Sequence, residues 1–134
     1  IINQMIDEYV SLHPEKSIAF TSLGQLRYLS AMQYIDGVIG NSSSGLIEAP
    51  SYKIGTINIG DRQKGRLKAE SVIDCEPTKD SIKSALEIMY SKKFRSNLKS
   101  VLTPYGEGNA TKKILEILKN SPLPKEIKKE FHNL

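Results

Sequence analysis

The feature that most constrains the fold is an alternation of short apolar runs with longer stretches of helical periodicity. Ile18-Ala19-Phe20, Val38-Ile39-Gly40, Thr56-Ile57-Asn58-Ile59 and Ser71-Val72-Ile73-Asp74 read as strands, because brief β-branched runs bounded by polar or glycine residues suit a pleated, buried ribbon. Leu23 to Ile35 reads as a helix with Leu26, Leu29, Ala31 and Met32 facing inward. A helix starting at Gly45 runs to Ala49, where Pro50 ends or sharply limits it. Three more helices follow: Ser81 to Tyr90 with Ile82, Leu86 and Met89 on one face, Lys92 to Leu102, and Thr111 to Lys119 with Ile114, Leu115 and Leu118. Pro122 and Pro124 set off a last basic helix, Lys125 to His132. Strands separated by helices predict an α/β fold with a mostly parallel sheet covered on both faces. Such sheets bind ligands beyond the carboxyl ends of their strands, so the loops after Phe20, Ile39 and Ile59 are the places to look for chemistry.

A chain of 134 residues fits one domain and can bury a core without disulfides or metals. The opening Ile2, Met5, Ile6 and Tyr9 read as the middle of an amphipathic helix, and the first residue is Ile1 rather than methionine; both suggest a piece of a longer polypeptide. No apolar run approaches the roughly 18 residues of a membrane span, and no signal-peptide pattern opens the chain. Cys75, the single cysteine, has no internal partner, which fits a reducing, cytoplasmic setting. The net charge of +4 is concentrated in late segments, Lys112–Lys119 and Lys125–Lys129, where it alternates with Ile, Leu and Glu as a solvated helix face does. No aromatic interleaving accompanies it, so neither nucleic acid nor membrane is expected as a partner.

Two loops carry the functional argument. Gly40-Asn41-Ser42-Ser43-Ser44-Gly45 joins a strand to a helix. Its small residues let backbone approach a ligand, and hydroxyls plus helix-start N–H groups suit a phosphate. The helix dipole alone adds only about 0.3–1 kcal/mol, so charge-assisted hydrogen bonds must supply most of the grip. A lone N-cap serine would leave the same local pattern, and the pattern does not separate the two. Glu48, three residues beyond Gly45, is either a carboxylate favoured by the helix start or an acceptor for vicinal hydroxyls. The second loop, Gly60-Asp61-Arg62-Gln63-Lys64-Gly65-Arg66, places three cations between glycines after a strand. It is either a solvated basic turn or an anion-binding loop in which arginine offers planar recognition of phosphate. The two loops support one another only if the strand order makes them neighbours.

The stretch GNSSSGLIEAPSYKIGTINIGDRQKGR closely resembles the C-terminal domain of hydrolysing UDP-N-acetylglucosamine 2-epimerases, including those of sialic-acid and related nonulosonic-acid synthesis. TSLGQLRYLSAMQYIDGVIGN and PYGEGNATKKILEIL fit the same family, so the resemblance covers roughly Ile18 to Leu118. It implies a Rossmann-like three-layer sandwich, the C-terminal half of a glycosyltransferase-B fold, with residues 1–134 forming one UDP-binding domain and residues 122–134 packing on an absent N-terminal catalytic domain. By that similarity Ser42 and Ser43 contact the diphosphate, Glu48 holds the ribose hydroxyls, Arg62 reaches the nucleotide, and backbone near Leu23 pairs with uracil. Ser44, Gly45 and Arg66 are motif neighbours expected to contribute. The implied reaction eliminates UDP from UDP-N-acetylglucosamine and hydrates the glycal to N-acetylmannosamine. Its acid–base carboxylates come largely from the other domain, so this chain supplies no catalytic residue and needs no cofactor or metal. The alternatives are a glycosyltransferase donor domain and a non-catalytic nucleotide-sugar module; a homo-oligomer stays open.

Other residues carry less. His13 and His132 lack metal-ligand spacing and read as surface histidines, Cys75 as a small apolar residue, and Asn109 as the N-cap of the Thr111–Lys119 helix.

Overall fold

The computed structural model describes residues 1–106 and 108–122. Three strands, β1 (Gly37–Gly40), β2 (Gly55–Ile59) and β3 (Val72–Cys75), form one sheet in the order β1-β2-β3. Both pairings are parallel: Gly40 lies opposite Asn58, and Asn58 opposite Asp74. Helices α1 (Ile2–Leu12), α2 (Gly24–Ala31), α3 (Ser44–Ile47), α4 (Lys79–Tyr90), α5 (Lys92–Asn97) and α6 (Ala110–Asn120) complete the described chain. None is long and apolar enough to cross a membrane.

The period-two alternation of β2 sends its residues to two different layers. Ile57 faces a cluster with Cys75, Ala85 and Met89, edged by Ile82, Leu86 and Phe94 from α4 and α5. On the opposite face Thr56 meets α3, while Val38 of β1 joins Met32, Ala49 and Ile54 beneath α2 and the turn after α3. The result is helix, sheet, helix: the α/β arrangement expected from the alternation, and the Rossmann-like three-layer sandwich that the resemblance implies. Cys75 is buried in the first cluster, as a small apolar residue would be. Burial pushes its thiol pKa up, and the charges of Asp74 and Glu76 add to the shift.

Several elements differ from the sequence reading. Ile18-Ala19-Phe20 is not a strand: no described strand pairs with it, and Ile18 and Phe20 are 74% and 60% exposed. Propensity alone does not hold an extended segment without ladder partners. α2 stops at Ala31 rather than Ile35, because Gln33 and Tyr34 donate to Ser30 and Ala31 in the tighter three-residue pattern that closes helices. Leu26, expected to face inward, is 81% exposed, and Tyr28 packs inward instead. α3 closes at Ile47, short of Ala49 and before Pro50, so the helix is limited there as expected, but the chain keeps turning past the proline. Pro50 sits in a 3-10 helix, Ala49–Tyr52, that continues from α3, since proline is tolerated in a first helical turn. α4 begins two residues before Ser81 because Thr78 caps it, accepting from Ser81 N at 3.3 Å. α5 gives way to a 3-10 turn at Leu98–Ser100, where Ser96 and Ser100 bond backbone carbonyls three residues back.

α6 matches expectation in extent, yet Asn109 caps it by position only. Its backbone is left-handed, φ 62°, and its side chain makes no capping bond. His13 is half-buried rather than fully at the surface, its ring centroid 4.6 Å from that of Tyr9. Glu107 and the expected terminal helix, Lys125 to His132, lie outside the described residues.

Candidate functional site

Because β1 and β2 are parallel neighbours, the loops that leave their carboxyl ends are neighbours too. A direct bond joins them: Gln63 Nε2, in the basic loop, donates to the Asn41 carbonyl of the serine loop at 2.7 Å. Gln63 is 3% exposed although charged residues flank it on both sides. Gly60 and Gly65 bracket this loop with φ of 74° and 81°, a backbone that glycine adopts without a Cβ penalty. The loop is therefore a folded turn anchored at its centre.

The three serines have separate tasks. Ser44 Oγ lies 2.6 Å from Tyr28 Oη, which ties α2 to the start of α3. Ser42 Oγ accepts from Ser44 N at 3.3 Å. Ser43 is the N-cap residue of α3, and its side chain makes no capping bond. Ser42 and Ser43, the two residues expected at a diphosphate, are thus less committed to the fold than Ser44. α3 is only four residues long, which shrinks the dipole contribution below that of a full helix. Hydroxyls, backbone N–H groups and nearby cations must dominate any anion binding here.

Gly45 is a packing residue. A Cβ there would lie 2.5 Å from Thr56 Cγ2, so only glycine lets α3 sit this close to β2. Thr56 Oγ1 in turn donates to the Gly45 carbonyl at 2.8 Å. This contact fixes the height of the serine loop above the sheet.

Glu48 closes α3 and begins the 3-10 turn. The residue is partly buried, and its Oε2 is buried with no hydrogen-bond partner among the described residues. A buried carboxylate oxygen needs donors, and leaving one unmade is costly.

Arg62 and Arg66 are exposed, and neither takes part in the ion pairs found among the described residues. They do not share one recess. Arg66 and Lys64 line a cavity of about 580 Å³ on the β3 side of the loop, with Asp61, Lys68, Asp74, Glu76 and Ser81; none of Ser42, Ser43 and Ser44 lines it. Lys68 is paired with Asp74 at 2.7 Å, and Asn58 Nδ2 reaches the same carboxylate at 2.7 Å. Burial alone would raise the Asp74 carboxyl pKa, but the hydrogen bonds from Lys68 and Asn58 and the Lys68 charge outweigh it and hold the group below its ordinary value. The cavity lining is nearly balanced in sign, so the chemistry of an anion site rests with the serine loop and Arg62. Leu23 sits at the N-cap of α2, and the bond between Tyr28 Oη and Ser44 Oγ joins that helix to the serine loop.

Gln63 is the residue that sequence reasoning missed. A neutral amide inside a run of cations gives no charge signal, and only the parallel strand order shows that it faces the other loop.

The sequence profile of the UDP-N-acetylglucosamine 2-epimerase family matches residues 1–119. The chain belongs to that family. Among its relatives, the polysialic acid biosynthesis protein P7 of Escherichia coli is 48% identical over 93 residues, 69% of this chain and 24% of that protein. A GDP/UDP-N,N'-diacetylbacillosamine 2-epimerase (hydrolyzing) of Campylobacter jejuni is 41% identical over 135 residues, covering 100% of this chain and 35% of the relative. A UDP-N,N'-diacetylbacillosamine 2-epimerase (hydrolyzing) of Legionella pneumophila is 33% identical over 129 residues, 95% of this chain and 32% of its own length. The chain therefore spans between about a quarter and a third of the length of these relatives. Family membership agrees with the resemblance carried by the GNSSSGLIEAP and INIGDRQKGR segments.

Proposed function

We propose that this chain is the UDP-binding part of a hydrolysing UDP-N-acetylglucosamine 2-epimerase, the C-terminal half of a glycosyltransferase-B fold working in a cytoplasmic setting. The observation that carries the reading is the buried Glu48 oxygen, without a hydrogen-bond partner among the described residues, one turn along from a serine loop in which Ser43 makes no capping bond and the Ser42 hydroxyl meets only the Ser44 N–H. A carboxylate accepts hydrogen bonds only, and a ribose diol supplies two donors at the spacing of one carboxylate. Phosphate, an acceptor, belongs instead with Ser42, Ser43 and Arg62. Ser44 and Gly45 shape the loop, Arg66 adds positive field, and backbone near Leu23 reads the base. No described residue is assigned to proton transfer; the general acid and base belong to the remainder of the polypeptide. In the full enzyme, departure of UDP from C1 accompanies loss of the C2 proton, and water then adds to the glycal to give N-acetylmannosamine. This chain's part is to hold the leaving diphosphate and spread its charge.

The test is Glu48→Gln in the full-length protein, with UDP binding read by calorimetry. The variant keeps the shape but weakens the acceptor, so affinity falls by about 1–3 kcal/mol. Unchanged binding removes Glu48 from the site. A second substrate, a UDP-linked 2,4-diacetamido hexose, is favoured by the Campylobacter and Legionella relatives, which are named for diacetylbacillosamine. Assaying the full-length protein with both sugars, and identifying the free hexosamine released, decides between them. Release of UDP without an epimerised sugar, or transfer to an acceptor, defeats the epimerase reading.

A further inference from the structure

We infer that Gln63 is a positioning residue that locks the serine loop and the basic loop into one diphosphate-binding unit; this deepens the nucleotide reading above and rests on it. The two loops leave different strands, and each carries only half of an anion site: hydroxyls on one, cations on the other. Gln63 spans the gap, with Nε2 2.7 Å from the Asn41 carbonyl. That carbonyl can only accept, so the amide nitrogen must be the atom that faces it. Asn41 immediately precedes Ser42, and Arg62 immediately precedes Gln63. The bond therefore sets the distance between the hydroxyl and the guanidinium proposed to share one diphosphate. Gln63 Oε1 is also buried and has no partner among the described residues. Buried polar atoms are seldom left this way, which marks the junction as built for more than loop packing. Gln63 itself touches no phosphate in this scheme. It acts through Asn41 and Arg62.

Two substitutions in the full-length protein separate the possibilities. Gln63→Met keeps length and burial but removes the donor, and Gln63→Glu replaces the donor with an acceptor that repels the Asn41 carbonyl. The UDP dissociation constant should rise about five- to tenfold in the methionine variant, the scale of one lost neutral hydrogen bond, and further in the glutamate variant. Uridine, which lacks the diphosphate, should bind both variants as it binds wild type. Equal weakening of uridine and UDP would assign Gln63 a general structural role and overturn the inference. Wild-type UDP affinity in both variants would overturn it as well, while leaving the nucleotide reading standing. A wild-type protein that does not bind UDP removes that reading and this one together. Should either variant fail to fold, the wild-type side-chain amide is the readout. Its NMR signal should be protected from solvent exchange and shift on adding UDP but not uridine; a solvent-labile signal that ignores UDP sinks the proposal.

Discussion

The loops at the strand ends and the helices α1 and α6 are built in opposite ways. The loops are short, polar and rich in glycine, yet they are pinned: Gln63 to Asn41, Tyr28 to Ser44, Thr56 to Gly45. α1 and α6 have strong apolar stripes, yet neither buries a residue among the described parts of the chain. Ile2, Met5 and Leu12 are all more than half exposed, as are Ile114, Ile117 and Leu118. Apolar patterning states what a helix could bury, whereas a close-packed glycine or a cross-loop hydrogen bond states what is already fixed. The order of the polar site and the exposure of the apolar shell suit a chain that spans only part of its relatives' length.

The largest expected effect probes the pinned region. Gly45→Ala puts a methyl group where Thr56 Cγ2 already sits, so α3 must move off β2. Urea denaturation should show a loss of about 1–3 kcal/mol, the usual cost of overpacking. A neutral result would mean that the serine loop floats, and the contrast with α1 would collapse.

A smaller effect is expected at Asp74, whose side chain is 55% exposed. Its carboxyl pKa is lower in the folded chain than its ordinary value, so the stability it contributes is fully present above the ordinary carboxylate range, near pH 4. That contribution is lost as pH falls through the depressed folded-state value. Asp74→Asn should therefore cost about 0.2–1 kcal/mol at neutral pH, in keeping with a solvent-screened pair, and should flatten the acid limb of the stability curve. An unaltered acid limb would remove the Lys68–Asp74 pair from the account.

The smallest effect belongs to the shell. Met5→Gln should change stability by no more than about 0.5 kcal/mol, because Met5 is 63% exposed. A loss above about 2 kcal/mol in the same denaturation experiment would show α1 packed on the core in solution.

Most of the sheet and the amphipathic helices were legible in the sequence because their cues are local: β-branched runs for β1, β2 and β3, and three- and four-residue spacing for α4 and α6. The same local cues suggested a strand at Ile18–Phe20, where pairing depends on a neighbour that no local pattern supplies. They also placed Leu26 inside and missed Tyr28, since an amphipathic stripe does not say which of its edges meets the sheet. At the site, the serine and basic loops could be read from residue type and their strand-end positions. What joins them could not. Gln63 and Tyr28 reach the serine loop from 22 and 16 positions away, and those contacts exist only because of the strand order and the placement of α2.

The all-parallel order of the sheet has a kinetic consequence. Parallel strands cannot pair through a tight hairpin; β1 meets β2 only after the segment containing α3 has closed between them. The serine loop and the basic loop can therefore become neighbours only once that closure has brought β1 and β2 into register. A ligand held by both loops would bind only after that closure. It would then lengthen the lifetime of the native state by slowing unfolding and leave the rate of refolding nearly untouched.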